Sequence, residues 1–169
     1  VLVVQQAPEG PYERVLVAVD YTATSKPLVR YAGGLAVGSS MALFHAIDSR
    51  SAEVSQTAMQ AYRQEVLPHV HNRMSRLKDS FDTRRNRVGT LTGQDDVVRQ
   101  MVVQQESMSA ELVVVGQRRR AALMDFMMGS MARRLLGHAE CDVLVCPQDF
   151  LGQAPGPITR APMRARLLA

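Results

Sequence analysis

Arg14-Val15-Leu16-Val17-Ala18-Val19-Asp20 is an almost unbroken apolar run closed by an acid. Continuous rather than alternating apolarity suits a strand buried on both faces of a parallel sheet. A helical pattern follows it. Leu28, Tyr31, Ala32 and Leu35 recur at i, i+3, i+4 and i+7, the stripe of a helix packed on a sheet. Thr24 and Ser25 are candidate caps, Pro27 falls in the first turn where it costs no hydrogen bond, and Gly38 is the expected stop.

The same alternation continues outward. Met41 to Asp48 reads as a second strand. From Glu53 to Phe81 the apolar positions Met59, Tyr62, Val66, Val70, Met74, Leu77 and Phe81 step by three or four, so a long helix is expected, kinked or split at Pro68. Arg87 to Thr92 is a weaker strand. Asp95 and Asp96 then oppose the positive end of a helix dipole, and Val98, Met101, Val102 and Gln105 continue that helix. Glu111 to Gly116 and Asp142 to Pro147 are two further strands, separated by a loop from Gln117 to Met128 and a short helix from Met131 to His138. Strands separated by helix-length connections argue for a parallel α/β sheet with right-handed crossovers.

With 169 residues, 46% hydrophobic and 21% charged, the chain is of one-domain size and ordinary globular composition. No run approaches the roughly 18 apolar residues of a membrane span, and the N-terminal stretch lacks a signal-peptide pattern. Cys141 and Cys146, without a histidine cluster, suit a reducing cytoplasm better than a disulfide scaffold or a metal site. A net charge of +4, carried by eighteen arginines and only Lys26 and Lys78, invites a nucleic-acid reading. The placement of charge weakens it. Arg160, Arg164 and Arg166 lie in the acid-free segment from Phe150 onward, leaving seventeen basic against sixteen acidic residues over 1–149. The remaining local excess is Arg118, Arg119, Arg120, Arg133 and Arg134, opposed there by Asp125, which favours a small anion over a nucleic acid.

The ends differ from the middle. Residues 150–169, with Pro155, Pro157 and Pro162, read as a flexible tail. Val1-Leu2-Val3-Val4-Gln5-Gln6 repeats four of six positions of Val143-Leu144-Val145-Cys146-Pro147-Gln148. Residues 1–12 therefore read either as a chance likeness between two Val/Leu-rich strands or as the last strand and linker of a preceding copy of the 13–149 domain.

The chemistry concentrates around the fourth strand of that domain. Gly116 at its C-terminal end lets backbone approach a ligand with no Cβ in the way, and Gly129-Ser130 opens a helix whose N–H groups favour phosphate. Ligands of open α/β sheets lie beyond the carboxyl ends of strands where strand order reverses, and Asp20 and Gly116 end the two strands flanking that point. Gly116 to Ser130 resembles the nucleotide loop of the universal stress proteins, G-x2-G-x9-G-[ST]. The run ending at Asp20 resembles the family's first strand, and Arg133 to Leu136, Ala139, Cys141 and Val143 to Val145 resemble its closing helix and strand. The likeness covers residues 13–148, and Ala7 to Arg14 resembles the linker between repeats in tandem members.

The resemblance implies an open, doubly wound, five-stranded parallel sheet of order 3-2-1-4-5, a cytoplasmic stress-response role, and a homodimer formed through the last strand. It also implies ATP, with Mg2+ accompanying the nucleotide. Val19, Asp20 and Ala46 would line the adenosine side; Val115, Gly116, Arg118, Gly129, Ser130 and Met131 would line the ribose and phosphates. Arg119 stands where the motif has its second glycine, which either strains the loop or wraps polyphosphate electrostatically. The alternative is a module that docks partners or dimerises without nucleotide.

Other chemistries fit worse. Thr22 stands where an aspartyl phosphotransferase needs a second acid. Ser130 lacks a base and a nucleophile elbow, and a Gly-Lys-Ser/Thr phosphate loop is absent from the sequence. His45 and His138 read as packed or helix-capping, Met124, Met127, Met128 and Met131 as a soft packing surface, and both cysteines as buried thiols. At most, slow ATP hydrolysis is expected.

Overall fold

The computed structural model describes residues 1–6, 10–47, 64, 67–80, 86–94, 96–117 and 130–147. Six strands form one sheet: β1 (Leu2–Val3), β2 (Arg14–Ala18), β3 (Ser40–Ile47), β4 (Arg87–Gln94), β5 (Leu112–Gln117) and β6 (Asp142–Pro147). Four helices are described: α1 (Ser25–Leu35), α2 (Leu67–Asp79), α3 (Val97–Met108) and α4 (Ser130–Leu136). None is long and apolar enough to cross a membrane.

The sheet order is β1-β6-β5-β2-β3-β4. From β6 to β4 every pairing is parallel, and with β2 counted first these five strands have the expected order 3-2-1-4-5. The correction is the sixth strand. β1 pairs antiparallel with β6, Leu2 facing Leu144 and Val3 facing Val143. The outer edge of β6, where a homodimer is expected, therefore carries the chain's own N-terminal strand.

Strand alternation divides the core. Val15 and Val17 of β2 point to one face with Leu28, Val29 and Ala32 of α1 and Met74 of α2. Leu16 points to the other, with Val98 and Met101 of α3 and Leu135 of α4. Helices on both faces make the sheet doubly wound, and β2 and β5, buried from both sides, carry the unbroken apolar runs. The edge strand β4 is largely exposed, in keeping with its more polar sequence.

Two local expectations shift. Thr24 precedes α1, but its hydroxyl meets Thr22 Oγ1 at 2.7 Å and makes no capping bond to the helix. α1 stops at Leu35, and Gly38 serves the turn beyond it, at φ +88° with its N–H donating to buried Asn86 Oδ1 (2.8 Å). The described part of the expected second helix runs from Leu67 to Asp79, and the expected kink or split at Pro68 turns on upstream residues that lie outside the described ones. The upstream stretch from Glu53 lies outside the described residues apart from Gln64, as do the 118–129 loop and the tail from 148 onward.

Asp142 ties the N-terminal segment down. Its side chain is fully buried, Oδ1 accepts from Gln5 N (2.8 Å) and Gln6 N (3.2 Å), and Oδ2 accepts from the buried Tyr12 hydroxyl (2.7 Å). A buried carboxylate is tolerated only with such partners, so this one holds Gln5, Gln6 and Tyr12 against the start of β6.

Candidate functional site

The parallel register sets Val17 opposite Val114 and Ala18 opposite Phe44, and Val19 N donates to Phe44 O at 2.8 Å. Val19–Asp20, His45–Ala46 and Val115–Gly116 therefore emerge at one end of three adjacent strands. β2 leads to one side of the sheet through α1 and β5 leads to the other through α4, so the crevice between them is the switch point where ligands of such sheets lie.

Of the sequence-predicted site residues, Val19, Asp20, Ala46, Val115 and Gly116 are brought together there. Val19 and Val115 are buried, Asp20 is exposed, and Ala46 and Gly116 are half-buried. Ser130 begins α4, and Met131 packs half-buried against the core on the α3 face. Arg118 and Gly129 lie outside the described residues, as do Arg119 and Arg120.

Asp20 organises its own loop. Oδ1 accepts from Thr22 N (3.0 Å) and Ser25 Oγ (3.0 Å) and from the Thr22 hydroxyl, and Asp20 N donates to Ser25 Oγ at 3.3 Å. That network pins the turn between β2 and α1 and gives the carboxylate a structural role of its own.

Tyr21 was not singled out by sequence. It sits at φ +58°, a left-handed conformation uncommon for a bulky residue. Its ring lies 4.2 Å from that of His45 and 5.1 Å from the Arg73 guanidinium, and its hydroxyl donates to Val70 O at 3.3 Å. His45 Nδ1 in turn meets Val19 O at 2.8 Å. Burial pushes the Tyr21 hydroxyl up to about 12, with the Arg73 charge opposing, so the phenol is neutral at physiological pH. Arg73, Tyr21 and His45 thus pack together beside the ends of β2 and β3. The one sequence cue was an aromatic directly after the strand-ending acid.

The expected arginine cluster loses a member. Arg134 Nη2 binds both carboxylate oxygens of Asp96, at 2.9 and 3.0 Å, joining α4 to the start of α3. Asp96 also accepts from Arg99 N as the N-cap of α3. That backbone hydrogen bond, then Arg134, holds its carboxyl below the usual range. The tie is therefore complete at neutral pH and is lost as pH falls through that lowered range.

His138 Nδ1 meets Arg134 O at 2.6 Å at the end of α4, a capping position. Both cysteines are buried and unpaired; burial pushes Cys141 up to about 12 and Cys146 up to about 11. Since the thiolate is the nucleophile, neither is expected to react with DTNB at pH 8 until the protein is unfolded. Rapid labelling of the native chain would contradict that burial. Among the described residues, no three His, Cys, Asp or Glu side chains gather as a metal site.

Comparisons with known proteins agree with this architecture. The model of the Universal stress protein family matches residues 11–147. The search of curated proteins finds no match. Among solved structures, the hypothetical protein MJ0577 aligns at a TM-score of 0.67 and 17% identity, over 80% of this chain and 96% of that one. Universal stress protein UspA from Lactobacillus plantarum aligns at 0.63 and 17% identity, over 80% and 98%. A universal stress protein in complex with cAMP aligns at 0.53 and 19% identity, over 82% and 98%. These likenesses concern the fold, and the family match covers nearly the whole described sheet. The chain belongs to the universal stress protein family.

Proposed function

We propose that this chain is a cytoplasmic adenine-nucleotide-binding module of the stress response, taking ATP with Mg2+ as the nucleotide's counter-ion. The observation that carries the reading is Gly116. Its φ is not positive, and a Cβ there would meet Leu28 Cδ2 at 3.5 Å, ordinary van der Waals contact. Neither backbone nor packing among the described residues requires glycine at this strand end. A bare strand end at the switch point leaves room for a ligand to approach the backbone. The complex of a family member with cAMP supports the adenine-nucleotide class. Val19, Asp20 and Ala46 take the adenosine side; Val115, Gly116, Arg118, Gly129, Ser130 and Met131 take the ribose and phosphates. Association with a second copy through β6 belongs to the same proposal, on the condition set by β1.

The test is thermal unfolding with ATP·Mg2+. At 100 times Kd, bound ligand adds about 2.7 kcal/mol of stability. The wild type is expected to rise in Tm with ATP. Gly116→Ala is expected to unfold near the wild-type temperature without ligand and to lose most of the rise. No rise at millimolar ATP defeats the proposal.

The second reading, a docking module without nucleotide, rests on Arg119 at the motif's second glycine position. If it is right, the wild type is unresponsive to ATP and Arg119→Gly gains a response.

A further inference from the structure

The β2–β3 ladder stops one bond short, and a side chain fills the place. Paired register runs as far as Ala18 and Phe44, and Val19 N still donates to Phe44 O at 2.8 Å. In a parallel ladder the next bond would bring the Ala46 N–H onto Val19 O. Pairing has ended by then, and Val19 O is met instead by His45 Nδ1 at 2.8 Å. A carbonyl oxygen can only accept, so Nδ1 carries the hydrogen and the imidazole stands in for the backbone donor.

The surroundings keep that arrangement in place. Val19 is buried, so its oxygen needs a donor, and His45 supplies one. The Tyr21 ring packs on the imidazole, with centroids 4.2 Å apart and planes tilted by 43°. β2 ends at Ala18 and the chain turns at Tyr21, where φ is +58°, so the ladder has no later rung at which to resume.

Ala46 is the residue this releases. Ser40 N donates to Glu13 O, and alternation along β3 turns the N–H groups of Ala42, Phe44 and Ala46 the same way, toward β2. Past Val19 that direction opens on the crevice. Ala46 is half-buried there, and its N–H has no backbone acceptor among the described residues.

We propose that His45 is a positioning residue: by capping Val19 O it keeps the Ala46 N–H out of the sheet, free to donate to an acceptor on a ligand in the crevice. The ligand half of this role rests on the reading of Ala46 as part of the adenosine side. The free protein tests the other half separately.

The full-length chain is compared with His45→Leu, which deletes the donor, and His45→Asn, whose side-chain N–H group hangs on Cγ as Nδ1 does. Without ligand, the Ala46 amide of the wild type is expected to exchange hydrogen at least about tenfold faster than those of Phe44 and His45, the factor that one net hydrogen bond is worth. In His45→Leu, Val19 O recovers the Ala46 N–H and exchange there slows by about tenfold, while His45→Asn stays like wild type. With ATP·Mg2+, calorimetry is expected to show binding about tenfold weaker in His45→Leu and restored in His45→Asn.

A wild-type Ala46 amide as protected as its strand neighbours overturns the proposal, and so does a His45→Leu chain in which Ala46 exchanges as fast as in wild type. Equal losses of affinity in the leucine and asparagine variants overturn it too, because ring packing and not the donor would then matter. A wild type that binds no ATP but keeps the exchange pattern defeats the nucleotide reading and leaves the His45 arrangement supported. Should His45→Leu fold poorly, the wild type decides through its exchange pattern and its imidazole nitrogen shifts: an Nδ1 without hydrogen overturns the proposal.

Discussion

Phe44→Ala is expected to cost about 3–5 kcal/mol of unfolding free energy, the range for removing a large aromatic from a core. Phe44 is fully buried in β3, on the sheet face covered by α3 and α4. Its ring fills the space a Cβ on Gly93 would enter, since such an atom would come within 3.0 Å of Phe44 Cε2 and Cζ. Leu16 and Met101, both fully buried in the same cluster, are held in their own places and offer little scope for collapse into the cavity. The denaturant midpoint by circular dichroism should fall with little change in slope, and Tm should drop by on the order of 10 °C. A loss below about 1 kcal/mol would mean that Phe44 is not packed as described.

Asp142→Ala is the second large effect, and it arises from polar satisfaction instead of volume. The substitution leaves the buried Tyr12 hydroxyl and the N–H groups of Gln5 and Gln6 without their acceptor. Each stranded donor costs about 1–3 kcal/mol when buried, less where water reaches it, so a loss of about 3 kcal/mol is expected. Asp142→Asn keeps an acceptor for the two backbone groups and should lose less. Hydrogen exchange makes the assignment specific: the amides of Gln5 and Gln6 should lose protection in the alanine variant while those of β2 and β5 keep theirs. Equal losses for Ala and Asn would show that the charge, not the acceptor geometry, holds the segment.

These two residues also mark what sequence reading captures. Strands buried on both faces announce themselves, because runs such as Val15–Val19 and Leu112–Val115 have no polar face to show; their parallel order then follows from helix-length connections and the family likeness. β4 was fainter because an edge strand is half solvated and its composition is diluted by Gly89, Thr90, Thr92 and Gly93. The likeness of Val1–Gln6 to β6 was visible, but strand direction was not: Val and Leu runs look the same whether they pair parallel or antiparallel. Only the register, with Leu2 facing Leu144, revealed the direction.

The candidate site was legible in its backbone frame and less so in its side chains. Asp20 and Gly116 could be placed at adjacent strand ends because strand ends and switch points follow from topology. Tyr21 was not singled out, because its packing partners His45 and Arg73 are 24 and 52 positions along the chain. Arg134 was read as part of an anion cluster, whereas its partner Asp96 lies 38 positions away, beyond the reach of any local pattern.

An adenine nucleotide is proposed to bind in the crevice between β2 and β5. The most direct test is a titration of the 15N-labelled chain with ATP·Mg2+ followed by amide chemical shifts. Saturable shifts are predicted at Val19, Asp20, Ala46, Gly116 and Gln117 and at the start of α4, with β4 and the β1–β6 edge unchanged. No shifts at millimolar ATP, or shifts confined to residues away from those strand ends, would contradict it.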